Sequence, residues 1–499
     1  MTQKIYLLAI DQGTTSTRAI IFDALGKSIA SHQIPFKQYF PNDAWVEHDP
    51  IEIWHSVLDC CRFAMDKASL SAKNITTIGI SNQRETTLIW DKKTGEPICP
   101  AIVWQDRRTA KQCHAFSQDK KIVKLISERT GLLIDSYFSA TKIAWILDQI
   151  QDGRKRAEKG ELLFGTMDTF LLWKLTEGKS FFTDATNASR TLLFNIHTQA
   201  WDDELLALFN IPKNCLPCVL DSNAKFGITY LLGAEIPITG MAGDQQAATI
   251  GQACFEKGMI KSTYGTGCFV MLNTGKQAIQ SHHQLLTTVA YRINGEVTYA
   301  LEGSIFSAGT GMQWIIKNLK LMATPEASEE LIKHCESTQG VYFVPAFTGL
   351  GAPYWDPDAR AAILGITRDT QIPHIVRAAL EAVCYQTVDL IRAIKDDFSE
   401  NLQVLRVDGG MTKNNWLLQF LSGMLKLKVM RHSCIETSAL GAGLLAGLGV
   451  GVYKDLSEIA ALISFEKTFI PAFSDETIEK HYLGWQKAVG RIVTRGPVS

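Results

Sequence analysis

One pattern of apolar runs occurs twice along the chain, and it narrows the fold more than any single motif. Near the start, residues 5–10, 18–22 and 28–34 read as three short strands joined by tight turns. A helix follows, with Asp49 as cap, Pro50 at its first position, Glu52 in its first turn, and Ile51, Trp54, Val57, Leu58 and Cys61 on one face. Strand-like TTIGI (76–80) and TTLIW (86–90) come next, and helices then alternate with short strands to about residue 250. The second half opens the same way: GMIKSTYGTGCFVMLN (258–273) gives strand, polar Gly-rich turn and strand, followed by strand-like LLTTVAYR and VTYALEG. A helix over about 304–319, a strand AAILGIT (361–367), a long helix near 373–395 and a strand LQVLRV (402–407) complete the repeat, and DGGMTKNN opens a further helix. Hairpins first, then strand and helix in alternation, twice over, predict two related α/β domains, residues 1–252 and 253–499, each a mixed sheet flanked by helices with a cleft between them.

The two hairpin turns carry the chemistry this plan suggests. DQGTTSTR (11–18) puts a carboxylate, a glycine and hydroxyls between two apolar runs, and YGTG (264–267) repeats the theme. Taken alone, a polar turn containing Gly is commonly only a turn, because Gly supplies permissive dihedrals and Ser, Thr and Asp satisfy the local backbone. Facing each other across a cleft, two loops rich in N–H groups and hydroxyls can cradle a polyphosphate from both sides.

Composition excludes several partners. Lys plus Arg number 50 against 51 Asp plus Glu, so no global basic field exists to hold nucleic acid or an anionic membrane. With 46% hydrophobic and 20% charged residues among 499, the chain has the make-up of a globular protein too long for one core. The first apolar run is too short for a signal-peptide core, and the longest candidate span, ALGAGLLAGLGVGVY (439–453), is dominated by Gly and Ala, which suits a helix pressed against a sheet. The expected location is cytoplasmic, with no integral membrane segment. Eleven scattered cysteines fit free thiols; Cys215 and Cys218 form a lone CxxC without a second ligand pair, and His282–His283 would point to opposite faces of a strand.

The quoted turns, together with SNQRETT (81), VWQDRRT (103), SYFSATKIAWILDQ (136), GTMDTFLLWKLT (165), TDATNASRTLLFNIHT (183), AGDQQAA (242), STYGTGCF (262), FTGLGAPYWDPDAR (347) and RVDGGMTKNN (406), give the whole chain a resemblance to the FGGY carbohydrate kinases. These belong to the larger group sharing the actin-like ATPase, or ribonuclease H-like, fold. Residues 137–149 and 361–381 fit the general signatures of the family. The resemblance implies ATP-dependent phosphorylation of a small polyol, glycerol first, with magnesium. It places Thr14, Thr15, Ser16 and Arg18 around the terminal phosphates, Asp11 beside the metal, and Thr266 facing the phosphates from the other domain. Gly309, Gln313, Gly410 and Asn414 are carried over as nucleotide contacts. The acceptor pocket would use Arg84, Glu85, Tyr137, Asp244 and Gln245 for the hydroxyls, with Trp104 and Phe269 along the carbon side. Asp244 is the expected general base, and it also stands where an Asp would cap the helix that follows IPITG. As an isolated dipeptide, Arg84–Glu85 would read as a solvated ion pair on a turn.

The same resemblance implies a homodimer or homotetramer. It also implies controls that this chain's residues do not support. The loop ITYLLGAEIP (228–237) lacks the Arg through which fructose 1,6-bisphosphate inhibits some relatives and the His that is phosphorylated in others. The tail FIPAFSDETIEKHYLGW keeps only part of the pattern that binds a sugar-transport phosphocarrier protein, so weak or absent responses are expected. Two alternatives stay open: another polyol or sugar kinase of this family, acting on xylulose or erythritol, and an actin-like or heat-shock-like ATPase with no small-molecule acceptor.

Overall fold

The side chain of Asp49 accepts from the amides of Ile51 and Glu52, and Pro50 follows, so the first helix (α1, Pro50–Lys67) starts where its cap signals put it. A computed structural model describes residues 4–402 and 404–494. The first three strands, Tyr6–Gln12 (β1), Ser16–Asp23 (β2) and Ser28–Pro35 (β3), form an antiparallel meander. Thr77–Asn82 (β4) adds parallel to β1, Ile236–Gly243 (β6) parallel to β4, and Gly227–Thr229 (β5) antiparallel on the edge. The resulting six-stranded order is β5-β6-β4-β1-β2-β3. β1 and β4 sit centrally; Leu7–Ile10 of β1 and all of β4 are buried, as central parallel strands must be.

The second sheet repeats the scheme. Ile260–Tyr264 (β7) and Cys268–Gly275 (β8) form the hairpin, and Glu296–Ile305 (β10) and Leu286–Ile293 (β9) extend it antiparallel. On the other side Val404–Asp408 (β11) and Lys428–His432 (β12) add in parallel and Phe465–Phe469 (β13) antiparallel, giving the order β9-β10-β8-β7-β11-β12-β13. In both sheets, then, the hairpin carrying the polar turn sits beside a parallel strand whose C-terminal end reaches the same edge.

The packing between the sheets departs from two self-contained domains in tandem. The helix Asp244–Gly251 (α3; α2 is Met167–Leu175, on the far face of the first sheet) touches β7, β8 and β9 of the second sheet. In return Thr437–Gly449 (α7), far along the chain, lies on β1, β4 and β6 of the first sheet and against α3. Gly309–Lys317 (α4), Ile372–Asp397 (α5) and Asn415–Leu425 (α6) precede it. Leu7, Ala9, Ile20 and Phe22 share one apolar cluster with Leu440, Leu444, Leu445 and Leu448. The Gly- and Ala-rich composition of α7 has a direct cause: a Cβ on Gly441 would run into the Ala247 carbonyl, and one on Gly79 into the Ala442 carbonyl. The backbones meet with no side chain between them.

Four expectations need correction. The helix expected from about 304 begins only at Gly309, because β10 continues through Ile305 to finish pairing with β8. The AAILGIT segment keeps a strand only at Ala362–Leu364, which pairs with Tyr342–Val344 in a separate two-stranded sheet. Leu88–Asp91, from TTLIW, likewise leaves the main sheet to pair with Leu162–Gly165. His282 and His283 lie in the loop before β9, where His283 pairs with Asp397. Of LQVLRV, the strand starts at Val404, and Gln403 lies outside the described residues, as do the ends of the two expected domains, 1–3 and 495–499. Among the described residues no helix is long and apolar enough to cross a membrane.

Candidate active site

Arg84 and Glu85 lie just past the end of β4, at the edge where both polar hairpin turns emerge. Glu85 adopts φ 59°, a left-handed conformation that costs a non-glycine residue about 1 kcal/mol or more. Its carbonyl is held by the hydroxyls of Thr87 (2.9 Å) and Ser139 (3.2 Å), which keep the strained turn in place. The solvated ion pair read from the dipeptide is not what forms: Arg84 is 2% and Glu85 1% exposed. Arg84 Nε stays 3.9 Å from Glu85 Oε1, but each residue has a closer partner. Arg84 bonds Glu302 through both terminal nitrogens, at 2.5 and 3.0 Å, while Glu85 accepts from Arg190 Nε at 2.6 Å. Arg190 also reaches Glu302, at 3.0 Å. Burial alone would raise the Glu302 carboxyl, but the Arg190 and Arg84 guanidiniums outweigh it and bring it down to about 2. Burial pushes the Glu85 carboxyl up, and the negative charge of Glu302 adds to it, against the pull of Arg190 and Arg84.

Asp244 comes from the other side of the same edge. The residue capping α3 is Gly243, whose N–H donates to Thr186 Oγ1 at 2.9 Å; Asp244 is the first helical residue, so its expected capping role is replaced by a different one. Its carboxylate accepts from the Gln245 N–H at 2.7 Å and faces Arg84 Nε at 3.2 Å, with 30% of the side chain exposed to the cleft. The helix N-terminus favours a carboxylate there. Next in α3, Gln245 accepts from the buried Lys261 ammonium at 2.6 Å, and Lys261 also donates to Thr263 at 3.0 Å.

These side chains enclose a cavity of about 240 Å³. Arg84, Glu85, Asp244 and Gln245 supply its polar side, and Trp104, Tyr137 and Phe269 its apolar side. Trp104 is the centre of the aromatic wall, edge-on to Tyr137 (5.6 Å between centroids) and to Phe269 (6.2 Å), and its indole N–H donates to Thr14 Oγ1 at 2.9 Å. Thr14 and Thr15 from the first polar turn and Gly265, Thr266 and Gly267 from the second also line it, with Gln38, Gln105 and Thr263. A second cavity, of about 600 Å³, shares Gly265 and Thr266 with the first and continues past Gly309, Gln313, Gly410 and Asn414. The join is built from backbone: the amides of Gly309 and Thr310 donate to the Gly265 and Thr266 carbonyls (3.0 and 3.1 Å), and a Cβ on Gly309 would strike the Gly265 oxygen. Asn414 also caps α6, accepting from the Leu417 N–H at 2.8 Å.

Two expected phosphate contacts stand outside both cavities. Ser16 accepts from Gln33 of β3, and Arg18 donates to Gln33 and pairs with Glu436 at the start of α7. Asp11 lies beneath the first turn, where burial, helped by the negative charge of Asp244 and opposed by Arg18, pushes its carboxyl up to about 6. The Asp11 carboxylate, with hydroxyls around it, suits a hard divalent cation that accepts few protein ligands and keeps its waters. Among the described residues no group of three or more His, Cys, Asp or Glu side chains forms a metal cage. Cys215 is buried and Cys218 exposed, both as free thiols.

Sequence reasoning missed Arg190, Glu302, Lys261 and Thr263 near the small cavity, and Met312, Ser328, Glu329 and Leu380 in the large one. Glu302 and Lys261 each left a signal, as a lone charge inside a strand-like run, VTYALEG and GMIKSTY.

Paired mixed sheets of one plan, with facing polar turns and a nucleotide-sized cavity opening into a small polar one, define a kinase of the actin-like ATPase fold. The family description "FGGY family of carbohydrate kinases" matches residues 6–251 with its N-terminal domain and 260–450 with its C-terminal domain. The chain belongs to that family. It is 57% identical to a glycerol kinase of Coxiella burnetii, over 98% of both chains, and 57% identical to glycerol kinase 1 of Pseudomonas aeruginosa, over 98% of this chain and 99% of that one. Among solved structures, Plasmodium falciparum glycerol kinase with ADP superposes with a TM-score of 0.90 at 38% identity, covering 99% of each chain. A gluconate kinase from Lactobacillus acidophilus shares the fold at 21% identity.

Proposed function

We propose that the protein transfers the terminal phosphoryl group of ATP to a hydroxyl of glycerol, with Asp244 as general base. The observation that supports this reading is the joining of the two cavities at Gly265–Thr266, which leaves room for a nucleotide in one beside an acceptor in the other. The smaller cavity, about 240 Å³, falls below the roughly 300–1,000 Å³ that houses drug-sized ligands, and so suits a three-carbon polyol. Hydroxyls along one edge would meet Arg84, Glu85, Asp244 and Gln245, while the carbons lie against Trp104, Tyr137 and Phe269. The glycerol kinase relatives support the acceptor.

In the reaction Asp244 takes the proton of the attacking hydroxyl, the freed oxygen bonds to the terminal phosphorus, and the bond to the bridging oxygen breaks to release ADP. Thr14, Thr15 and Thr266 hold the phosphates in line from the two turns. Magnesium beside Asp11 would neutralise phosphate charge. Water fits wherever glycerol fits, so closure of the two halves on both substrates is the means of limiting hydrolysis.

An ADP-release assay across glycerol, dihydroxyacetone, glyceraldehyde, xylulose and water tests the assignment. Glycerol is expected to give the highest kcat/KM and water a far slower release. Faster turnover of xylulose, or release in water equal to that with glycerol, overturns it.

A further inference from the structure

Glu302 does not line the acceptor cavity, yet it bonds Arg84, which does. It stands within β10 of the second sheet and is 0% exposed. Oε2 accepts from Arg84 Nη1 at 2.5 Å, and Oε1 accepts from Arg84 Nη2 and from Arg190 Nη2, each at 3.0 Å. The bidentate fork fixes the plane of the Arg84 guanidinium. What remains of Arg84 is directed elsewhere: Nη1 also touches Gln246 at 3.3 Å, and Nε faces Asp244 Oδ1 at 3.2 Å. The guanidinium carbon lies 5.7 Å from the centroid of Phe269, on the aromatic wall.

Stability alone gives little reason for this carboxylate, since well-packed apolar side chains commonly replace buried ion pairs without loss. Its effect on Asp244 gives a stronger one. Released from Glu302, Arg84 could turn its terminal nitrogens onto Asp244 and tie up the carboxylate that receives the acceptor's proton. Held by Glu302, Arg84 presents only Nε to Asp244. We infer that Glu302 is a positioning residue for phosphoryl transfer, acting through Arg84 to keep Asp244 available and the acceptor-binding guanidinium aligned. Because Glu302 belongs to the second sheet and Arg84 follows a strand of the first, this alignment exists only when the two sheets hold their mutual register. The inference rests on the roles proposed above for Arg84 and Asp244.

A double-mutant cycle on the full-length protein tests it. Glu302→Gln, nearly isosteric, is expected to lower kcat about tenfold or more and to raise the acceptor KM, while the affinity for ADP changes less than about threefold. In an Arg84→Ala background the same substitution should alter kcat/KM less than about threefold, because the residue it acts through is gone. Multiplicative losses in the cycle, or unchanged kcat and acceptor KM in Glu302→Gln, overturn the proposal. If Glu302→Gln no longer binds ADP, Glu302→Asp, which keeps the charge but shortens its reach, is put through the same cycle with the same readings. The cycle is read with whichever polyol the wild type phosphorylates. A wrong acceptor then shows in the wild-type panel, and a wrong role for Glu302 shows in the cycle.

Discussion

Replacing Asp244 by Asn removes one negative charge and keeps the size of the side chain. The structure allows the two consequences to be weighed separately. For stability, Asn still offers an oxygen to the Gln245 N–H, and Gly243 still caps α3. Arg84 keeps both bonds to Glu302 and its contact with Gln246. The lost pair with Arg84 is 30% exposed on the Asp244 side, so its removal costs about 0–1 kcal/mol, a shift of no more than a few degrees in Tm. For catalysis, removing a general base lowers turnover by about 10²–10⁴, or roughly 3–5 kcal/mol of barrier. The two effects differ enough to separate them. ADP release with saturating glycerol and ATP gives kcat, calorimetric titration gives ADP affinity, and a thermal melt gives Tm. Turnover within tenfold of wild type, with ADP binding and Tm unchanged, refutes the base assignment.

Gly441→Ala puts a methyl into the Ala247 carbonyl, and overpacking of this kind is expected to cost about 1–3 kcal/mol, read as a lower urea midpoint; an unchanged midpoint contradicts the close packing of α3 and α7. Burial pushes the Asp389 carboxyl up to about 6, against the hydrogen bonds it accepts from Tyr482, Trp485 and Tyr354 and the nearby charge of Arg392. A carboxyl raised in the folded state contributes stability that is complete below the unfolded pKa of about 4 and fades as pH rises through 6. Urea unfolding should therefore show wild type gaining about 1 kcal/mol relative to Asp389→Asn between pH 8 and pH 5.5, and parallel pH dependences would discount it. Titrating fructose 1,6-bisphosphate against the purified enzyme should leave the rate within about twofold, since the β5–β6 connection carries neither Arg nor His; strong inhibition would place the effector elsewhere.

Much of the fold could be read from local chemistry. The capping Asp49 with Pro50, and the apolar runs of β1, β2, β7 and β8, state their structure within a few residues of chain. The misjudged elements depended on distant partners. Ala362–Leu364 and Leu88–Asp91 are strands by composition, yet which sheet they join is set by segments far along the chain. The site divides in the same way. Thr14, Thr266 and Asp244 lie in turns or at a helix start, where polar residues between apolar runs stand out, and the family resemblance supplied Trp104, Tyr137 and Phe269. Arg190 and Glu302 serve the site only because a residue from each half meets Arg84 and Glu85 in a buried cluster, and no spacing in one dimension encodes that meeting. Ser16 and Arg18 show the converse, residues within a telling motif whose side chains the neighbouring strand and Glu436 had already engaged.

The placement of α7 on the first sheet has a consequence for biosynthesis. A ribosome delivers β1 and β2 first, and Leu7, Ala9, Ile20 and Phe22 then wait for Leu440, Leu444 and Leu448. Until the chain is almost complete, one greasy face of the earliest-made sheet has no cover of its own. The nascent protein must be shielded through most of its translation, and a ribosome that stalls before α7 releases a sticky, unfinished product rather than a working half.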